Sequence, residues 1–317
     1  MTPTPDTFFP ISICIPAYNY GHFLKDALES CIQQPGDFEI VVVDNCSSDE
    51  TPTLRERFCR DPRVRWFRND TVLPIDQSFN KAISLATRKY VKQLQADDRL
   101  LPNSIAQMGE MISRLPHVAY HGHLADLIDE NGNLIRKQHG FSDGRDVVEV
   151  TKAEGLRRQL SLEVRFREPS CTFFLKDAWK KIGGYSLEFR LMADIDFNIK
   201  MLSQFPCASW NRFLAQVRRH GRSDGAVSSS QAMLDDLKGI VRRTAQLMNG
   251  EFTSIDRAYG DSLILYKMLE LSISRLRQSP RNSLRFFAKN LGLFCMQPRG
   301  YSHLAKLLKN RVIYGDP

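Results

Sequence analysis

Asp97 and Asp98 stand side by side in KQLQADDRLLP, residues 92–102. Adjacent carboxylates repel each other, and burying either one costs desolvation. A hard divalent cation of the Mg2+ or Mn2+ kind resolves both problems, because it takes oxygen ligands, favours both ionised forms and bridges to phosphate oxygens. The pair follows YVKQLQ, which reads as a strand entering a core, so the acids fall where a strand meets a loop. Taken alone, DD also fits a turn in which Asp97 caps and Asp98 starts the next turn before Pro102. Asp44 closes a second apolar run, FEIVVVD, and Asp49 follows it in the next loop. Four carboxylates at strand ends shift the weight from local turns to a shared cation. Asp194 and Asp196, in LMADIDF, begin a helical pattern and also suit the positive end of a helix.

The intervening pattern supplies a frame for these acids. ISICIP, residues 11–16, alternates β-branched residues and stops at proline. Phe23, Leu24, Ala27, Leu28, Cys31 and Ile32 then recur at helical spacing. FEIVVVDN is apolar on both faces, as a parallel strand covered by helices must be. SSDETPTLRERFC opens a helix that Ser48 or Asp49 can cap, with Pro52 in its first turn. VRWFRND, IDQSFNKAISLATR and KYVKQLQADD continue as strand, helix, strand. Such alternation predicts a doubly wound, mostly parallel sheet flanked by helices, whose ligands sit past the carboxyl ends of the strands. Further on, VAYHGHLADLIDENGNLIRKQ predicts two strands joined at Asn131-Gly132, and residues 151–163 a helix. EPSCTFFLKDAWKKIGGYS predicts a strand, a helix and a Gly-Gly stop, and SWNRFLAQVRRHG a last strand. His121 and His123 share one strand face without a nearby acid, and read as structural or acceptor-side residues and not as metal ligands. From about Gln231 the periodicity is helical.

Composition narrows the class. The chain has 317 residues, 42% hydrophobic and 25% charged, as ordinary globular domains are. No run of about 18 apolar residues marks a membrane span, and the N-terminus lacks the basic and apolar segments of a signal peptide. Seven cysteines without CxxC spacing read as reduced thiols of a cytosolic protein, neither a disulfide frame nor a zinc site. A net charge of +8 suits an anionic partner, phosphate-bearing substrate or membrane face. Nucleic acid has only this charge in its favour.

ISICIPAYNYGHFLKDALESCIQQ, FEIVVVDNCSSDETPTL, SFNKAISLATRKYVKQLQADDRLLP, GGYS with MADIDFNIKM, and RRHGRSDGAVS occur in this order. Over roughly residues 10–230 they resemble the family 2 glycosyltransferases of GT-A fold. The resemblance implies inverting transfer of a sugar from a nucleotide-sugar, UDP- or dTDP-linked, to a hydroxyl of a saccharide or lipid-linked saccharide. It implies Mn2+ or Mg2+ on the diphosphate. On this pattern Pro16, Ala17, Tyr18 and Asn19 form a first loop beside the base, with Asp44 and Asn45 also near it. Asn80 lies by the ribose or diphosphate, Asp97 on the ribose or metal, and Asp98 is the main metal ligand. Asp194 is the general base, and His220 touches metal or diphosphate. Arg219, with Arg218 and Arg222, neutralises phosphate. The chain departs from the pattern at Asn45, Gln95 and Ala193, where relatives often carry acids. Those departures leave a catalytically weak nucleotide-sugar-binding protein as the alternative.

The expected organisation is a GT-A domain over 1–230, with a nucleotide-binding half near 10–115 and an acceptor-side half near 116–230, then a helical region over 231–317. Basic and apolar residues interleave in RNSLRFFAKNLGLF and LAKLLKNRVIY, which fits peripheral docking on an anionic bilayer and a packed helical lobe equally well. The implied location is the cytoplasm, at the inner face of the membrane if the acceptor is lipid-linked.

Overall fold

The structure is a computed structural model that describes residues 7–138, 141, 143–160, 168–189, 191–221, 230–276 and 305. Arg222 and the two basic-apolar stretches of the C-terminus, Leu304 to Tyr314 and Arg281 to Phe294, lie outside the described residues, Ala305 excepted. In chain order the elements are β1 (Phe8–Ala17), α1 (Gly21–Ile32), β2 (Asp37–Asp44), α2 (Leu54–Phe58), β3 (Val64–Arg68), α3 (Ile75–Leu85) and β4 (Tyr90–Gln93). There follow β5 (Arg99–Leu100), α4 (Ser104–Arg114), β6 (Tyr120–Ile128), β7 (Leu134–Lys137), β8 (Val147–Val150) and α5 (Lys152–Leu160). The described chain ends with β9 (Thr172–Leu175), α6 (Lys176–Lys181), α7 (Ala193–Gln204), β10 (Cys207–Arg218), α8 (Ser230–Met248) and α9 (Ser254–Leu276).

One sheet runs β3-β2-β1-β4-β9-β6-β10-β5, with β7 on β6 and β8 on β10. Its first half is parallel: β1 pairs with β2 and β4, and β2 with β3. The chain winds outward from β1 through β2 to β3, then crosses to β4 on the other side of β1. That reversal opens a crevice at the carboxyl ends of β1 and β4, the place where open α/β sheets bind ligands. The second half departs from the expected parallel pattern. β9 runs antiparallel between β4 and β6, and short β5 and β8 add antiparallel edges to β10. β9 returns to the sheet from far along the chain, and that partnership leaves no local periodicity to read.

Strand alternation divides the core between two faces. Ile11, Ile13 and Ile15 of β1 and Ile40 and Val42 of β2 pack beneath α1 and α4, with Leu24, Leu28, Ile105 and Met108. Cys14, Val41 and Val43 face the other way, toward Phe79 and Ile83 of α3 and Phe197 and Met201 of α7. Met233, Leu237 and Ile240 of α8 and Leu263 and Ile264 of α9 belong to this second cluster. Asp256 fixes α9: it accepts the Thr253 N–H at 2.8 Å, a capping arrangement, and pairs with Arg157 of α5 at 2.8 Å. Among the described residues, no helix is long and apolar enough to cross a membrane.

The Gly183-Gly184 stop after α6 has a steric cause. Gly184 has φ +67°, and a Cβ there would lie 2.4 Å from Asn80 Oδ1 and 2.8 Å from Trp179 Nε1. Gly184→Ala is therefore expected to lower the unfolding free energy in urea by about 1–3 kcal/mol. A change below about 0.5 kcal/mol, the level of an ordinary surface substitution, contradicts this reading of the turn.

Candidate functional site

The loops after β1 and β2 are fastened to each other at the crevice. Pro16 and Ala17 pair in register with Val43 and Asp44. Asn45 N–H donates to Ala17 O at 2.8 Å. Asn19 adopts φ 54°, donates its N–H to Ser47 Oγ at 3.0 Å, and accepts the Ser48 N–H on Oδ1 at 2.8 Å. Tyr18 stands between these ties with its side chain in solvent, 44% exposed. Asp44 is buried; Oδ1 accepts the Ser47 N–H at 2.8 Å and Oδ2 pairs with Arg68 of β3. Asn45 turns toward the 69–73 loop: Oδ1 accepts from Asn69 Nδ2 at 2.7 Å and Leu73 N at 2.9 Å, and Nδ2 donates to Leu73 O at 2.8 Å. One amide hydrogen of Asn45 remains for a ligand.

The acidic turn after β4 meets the end of β10. His220 Nε2 lies 3.0 Å from Asp97 Oδ2, although 123 residues separate the two. The His220 ring is nearly closed from solvent, 4.9 Å from Phe23 and 5.5 Å from Tyr20 between ring centroids. Asp98 lies deeper, 1% exposed. Its Oδ1 accepts the Arg218 N–H at 2.8 Å, and its Oδ2 is buried with no donor at hydrogen-bond distance among the described residues, although the Ser170 side chain lies near enough to favour the ionised form. Burial, and next the charge of Asp97, push the Asp98 carboxyl well above the usual carboxylate range. Arg218, expected among the phosphate-neutralising arginines, is spent inward. Its Nε donates to Asp97 O at 2.8 Å, Nη1 to Glu130 O at 2.8 Å and Nη2 to Asp26 at 3.1 Å, and it stacks on Phe23. Arg219 is half exposed and pairs with Glu168 at 2.6 Å.

Two carboxylates, one with an orphaned buried oxygen, and an imidazole fit a hard divalent cation. Asp97, Asp98 and His220 are the residues that would hold it; of these, Asp97 and His220 are in direct contact, at 3.0 Å. Among the described residues, the group of three whose ligand atoms all lie within 4.8 Å of one another is a different one, His22, Asp49 and Glu50. Asp49 there uses both oxygens on the backbone, accepting Gly21 N–H at 2.8 Å and Thr51 N–H at 2.9 Å.

Asp194 enters from the head of α7. Oδ1 accepts the Ile195 N–H at 2.8 Å, and its charge bears on the buried hydroxyls of Tyr120 and Tyr185. Tyr185 O–H donates to Gln93 Oε1, at the end of β4, at 2.5 Å. Tyr185, on which the Asp194 charge bears, is thus bonded to the last residue of the strand that precedes the turn of Asp97 and Asp98. Asn80 serves this link: it donates to Tyr185 O at 2.8 Å and accepts from Tyr185 N at 2.9 Å and Trp179 Nε1 at 3.1 Å. With its carboxamide oxygen filled by the turn, Asn80 braces the wall of the site.

Lys92 was missed by sequence reasoning, although a lysine inside an apolar run is a visible signal. It is fully buried; Nζ donates to His123 Nε2 at 2.8 Å, to Thr172 O at 3.3 Å and to Ser170 O. Ser170 Oγ accepts the Gln95 N–H at 2.9 Å, so Lys92 supports the acidic turn through one intermediary. His121 stacks on Phe173 at 4.4 Å and accepts from Trp210 Nε1 at 3.1 Å. Both histidines are core residues here. All six cysteines among the described residues are free.

Comparison with known proteins gives this geometry a context. The model of the family described as Glycosyl transferase family 2 matches residues 12–183, more than half of the chain. A PGL/p-HBAD biosynthesis glycosyltransferase of Mycobacterium bovis is 30% identical over 197 residues, 61% of this chain and 69% of that protein. Chondroitin synthase of Escherichia coli is 26% identical over 215 residues, 67% of this chain but 29% of that longer protein. Among solved structures, residues 1–349 of S. aureus TarS superpose with TM-score 0.66 at 17% identity, covering 96% of this chain and 86% of that one. The same TarS fragment has been solved with UDP and with UDP-GlcNAc. The mannosyltransferase PcManGT of Pyrobaculum calidifontis, solved with GDP-Man and Mn2+, gives TM-score 0.54 at 12% identity, covering 99% of this chain and 88% of that one. The fold is GT-A, as the strand-helix alternation and the resemblance implied.

The buried lysine beneath the acidic turn has a pH signature. Burial pulls the Lys92 ammonium from 10.5 to about 7. Folding then releases a proton between those values, so the contribution of Lys92 to stability rises with pH through this window and is lowest, and flat, below about 7. Urea denaturation from pH 6 to 9 is expected to show wild type gaining on Lys92→Met above pH 7, with a slope approaching about 1.4 kcal/mol per pH unit. Parallel curves for the two proteins would rule this out.

Proposed function

Because the chain belongs to glycosyl transferase family 2, we propose that it is a metal-dependent inverting transferase acting on a nucleoside-diphosphate sugar. The acceptor is a hydroxyl of a saccharide or lipid-linked saccharide, in the synthesis of a bacterial surface polysaccharide or glycoconjugate. The observation that carries this reading is the meeting of Asp97 with His220, next to the unpaired oxygen of buried Asp98. Asp97, Asp98 and His220 would hold a divalent ion there, which would supply positive charge for a departing diphosphate. The nucleoside lies along the fastened loops after β1 and β2, where the exposed Tyr18 ring offers a face to the base and the remaining Asn45 amide hydrogen an edge contact. Arg219 is placed to meet phosphate from the rim.

Asp194 acts from the opposite side of the sugar. Its carboxylate accepts the acceptor hydroxyl proton while the oxygen attacks the anomeric carbon and the bond to the diphosphate breaks. Attack opposite the leaving group inverts the anomeric centre. The neighbouring Tyr120 and Tyr185 keep their protons, since burial raises both phenols well above their usual range. Asp194 is thus the available base of this group. The cationic balance of +8 supports work beside an anionic bilayer face on the cytoplasmic side.

Thermal unfolding tests the assignment with UDP, dTDP and GDP, each with Mn2+, with Mg2+ or with EDTA. UDP or dTDP is expected to raise the melting temperature only with metal, equivalent to about 2.7 kcal/mol at a hundredfold excess over Kd. Asp97→Asn is expected to abolish that shift. No shift with any nucleotide and metal contradicts the reading. Asp194→Asn is expected to keep the shift while lowering the rate of nucleoside diphosphate release by about 10²–10⁴-fold. Release at the wild-type rate removes Asp194 from the mechanism.

A further inference from the structure

The family match ends at residue 183, before Asp194 and before α8. Yet α8 grips the segment that delivers Asp194. Arg243 Nη1 donates to Asp196 Oδ1 at 2.9 Å, and its Nη2 pairs with Glu188. The same guanidinium lies 5.2 Å from the Phe189 ring centroid. Lys200 Nζ stands 3.2 Å from the other oxygen of Asp196. Asp236 Oδ2 accepts the Leu191 N–H at 2.7 Å. Gly239 leaves room for Phe189, whose Cε1 would be 2.3 Å from any Cβ at that position.

The helix geometry of α7 turns this grip into aim. At about 100° per residue, Asp194 and Asp196 project about 200° apart. Asp196 is fully buried against Arg243 and Lys200, so the rotation of α7 about its axis is fixed by a paired internal charge. That rotation is the one that turns Asp194 toward Tyr120 and Tyr185. The same helix is held further along by the Tyr120 O–H bond to Asn198 Oδ1 at 2.5 Å and the Lys200 bond to Gly184 O at 2.6 Å, so Arg243 and Lys200 act on its first turns through Asp196.

We propose that Arg243 is a positioning residue for Asp194, and that α8 is a working part of the catalytic unit. The inference rests on the reading of Asp194 as the base. The full chain is compared with Arg243→Met, Arg243→Lys and Asp194→Asn. Three quantities are measured: amide hydrogen exchange over 186–196, affinity for UDP with Mn2+, and kinetics on whichever UDP-, dTDP- or GDP-sugar releases its nucleoside diphosphate fastest. Arg243→Met is expected to speed exchange over 186–196 about tenfold and lower kcat about tenfold or more. The KM for the donor and the affinity for UDP should stay within about threefold, and Arg243→Lys should recover most of kcat. Unchanged exchange and kcat in Arg243→Met overturn the inference while a slow Asp194→Asn leaves the base intact. Loss of UDP affinity in step with kcat overturns it too, because it marks general damage. A wild-type rate in Asp194→Asn overturns the base itself, and exchange alone then decides the tether. If Arg243→Met does not fold, Glu188→Gln and Asp236→Asn remove single strands of the same grip and carry the same measurements.

Discussion

The buried guanidinium of Arg218 ties the end of β10 to three neighbouring parts of the chain. Its donors reach the Asp97 carbonyl after β4, the Glu130 carbonyl in the β6–β7 connection, and the Asp26 carboxylate on α1, while its plane lies on Phe23. Its own backbone N–H holds Asp98. A buried cation must find partners for nearly all of its donors, and removing such a partner set costs about 3–5 kcal/mol. Two residues further on comes His220, so the constraint that seats Arg218 also sets the imidazole on Asp97.

Around this constraint the site leaves a buried carboxylate oxygen unpaired, as happens also at Asp76 and Asp126 among the described residues. Buried acceptors are ordinarily paired. Asp44, Asp196 and Asp256 each meet an arginine, and Glu39 meets Arg65, Ser12 and Thr87. Asp98 Oδ2 has no donor at hydrogen-bond distance among the described residues, and the neighbouring Asp97 charge raises the Asp98 pKa further. The cost is local, and on the proposed function a cation shared with a diphosphate would remove it. On the other wall, Asn80, Tyr185 and Gln93 tie the head of α7 to β4, and α8 holds the opposite side of that head.

Much of this could be read in the residues before the coordinates. The apolar runs of β1, β2 and β4 are buried on both faces and announced a parallel core, and the acids at their ends announced the crevice. What stayed hidden were choices made by distant partners. RRHGR reads as a cluster of phosphate-neutralising arginines, and nothing local says that Arg218 turns inward while Arg219 turns out. Asn45 and Asn80 are polar residues in plausible ligand positions, yet the 69–73 loop and the Gly-Gly turn occupy most of their hydrogen bonds. β9 reaches its antiparallel place by pairing across long sequence separations, which leave no periodic trace. Asp196 looked like a helix-end acid and is instead the anchor of α8.

The central claim is that Asp97, Asp98 and His220 converge on one cation that binds a pyrophosphate. A crystal of the full chain grown with UDP and Mn2+, with anomalous data collected above the manganese edge, tests it most directly. The account predicts one strong anomalous peak between these three side chains and the UDP phosphates. Density for UDP with no peak there, or a peak held by His22, Asp49 and Glu50 instead, would contradict it.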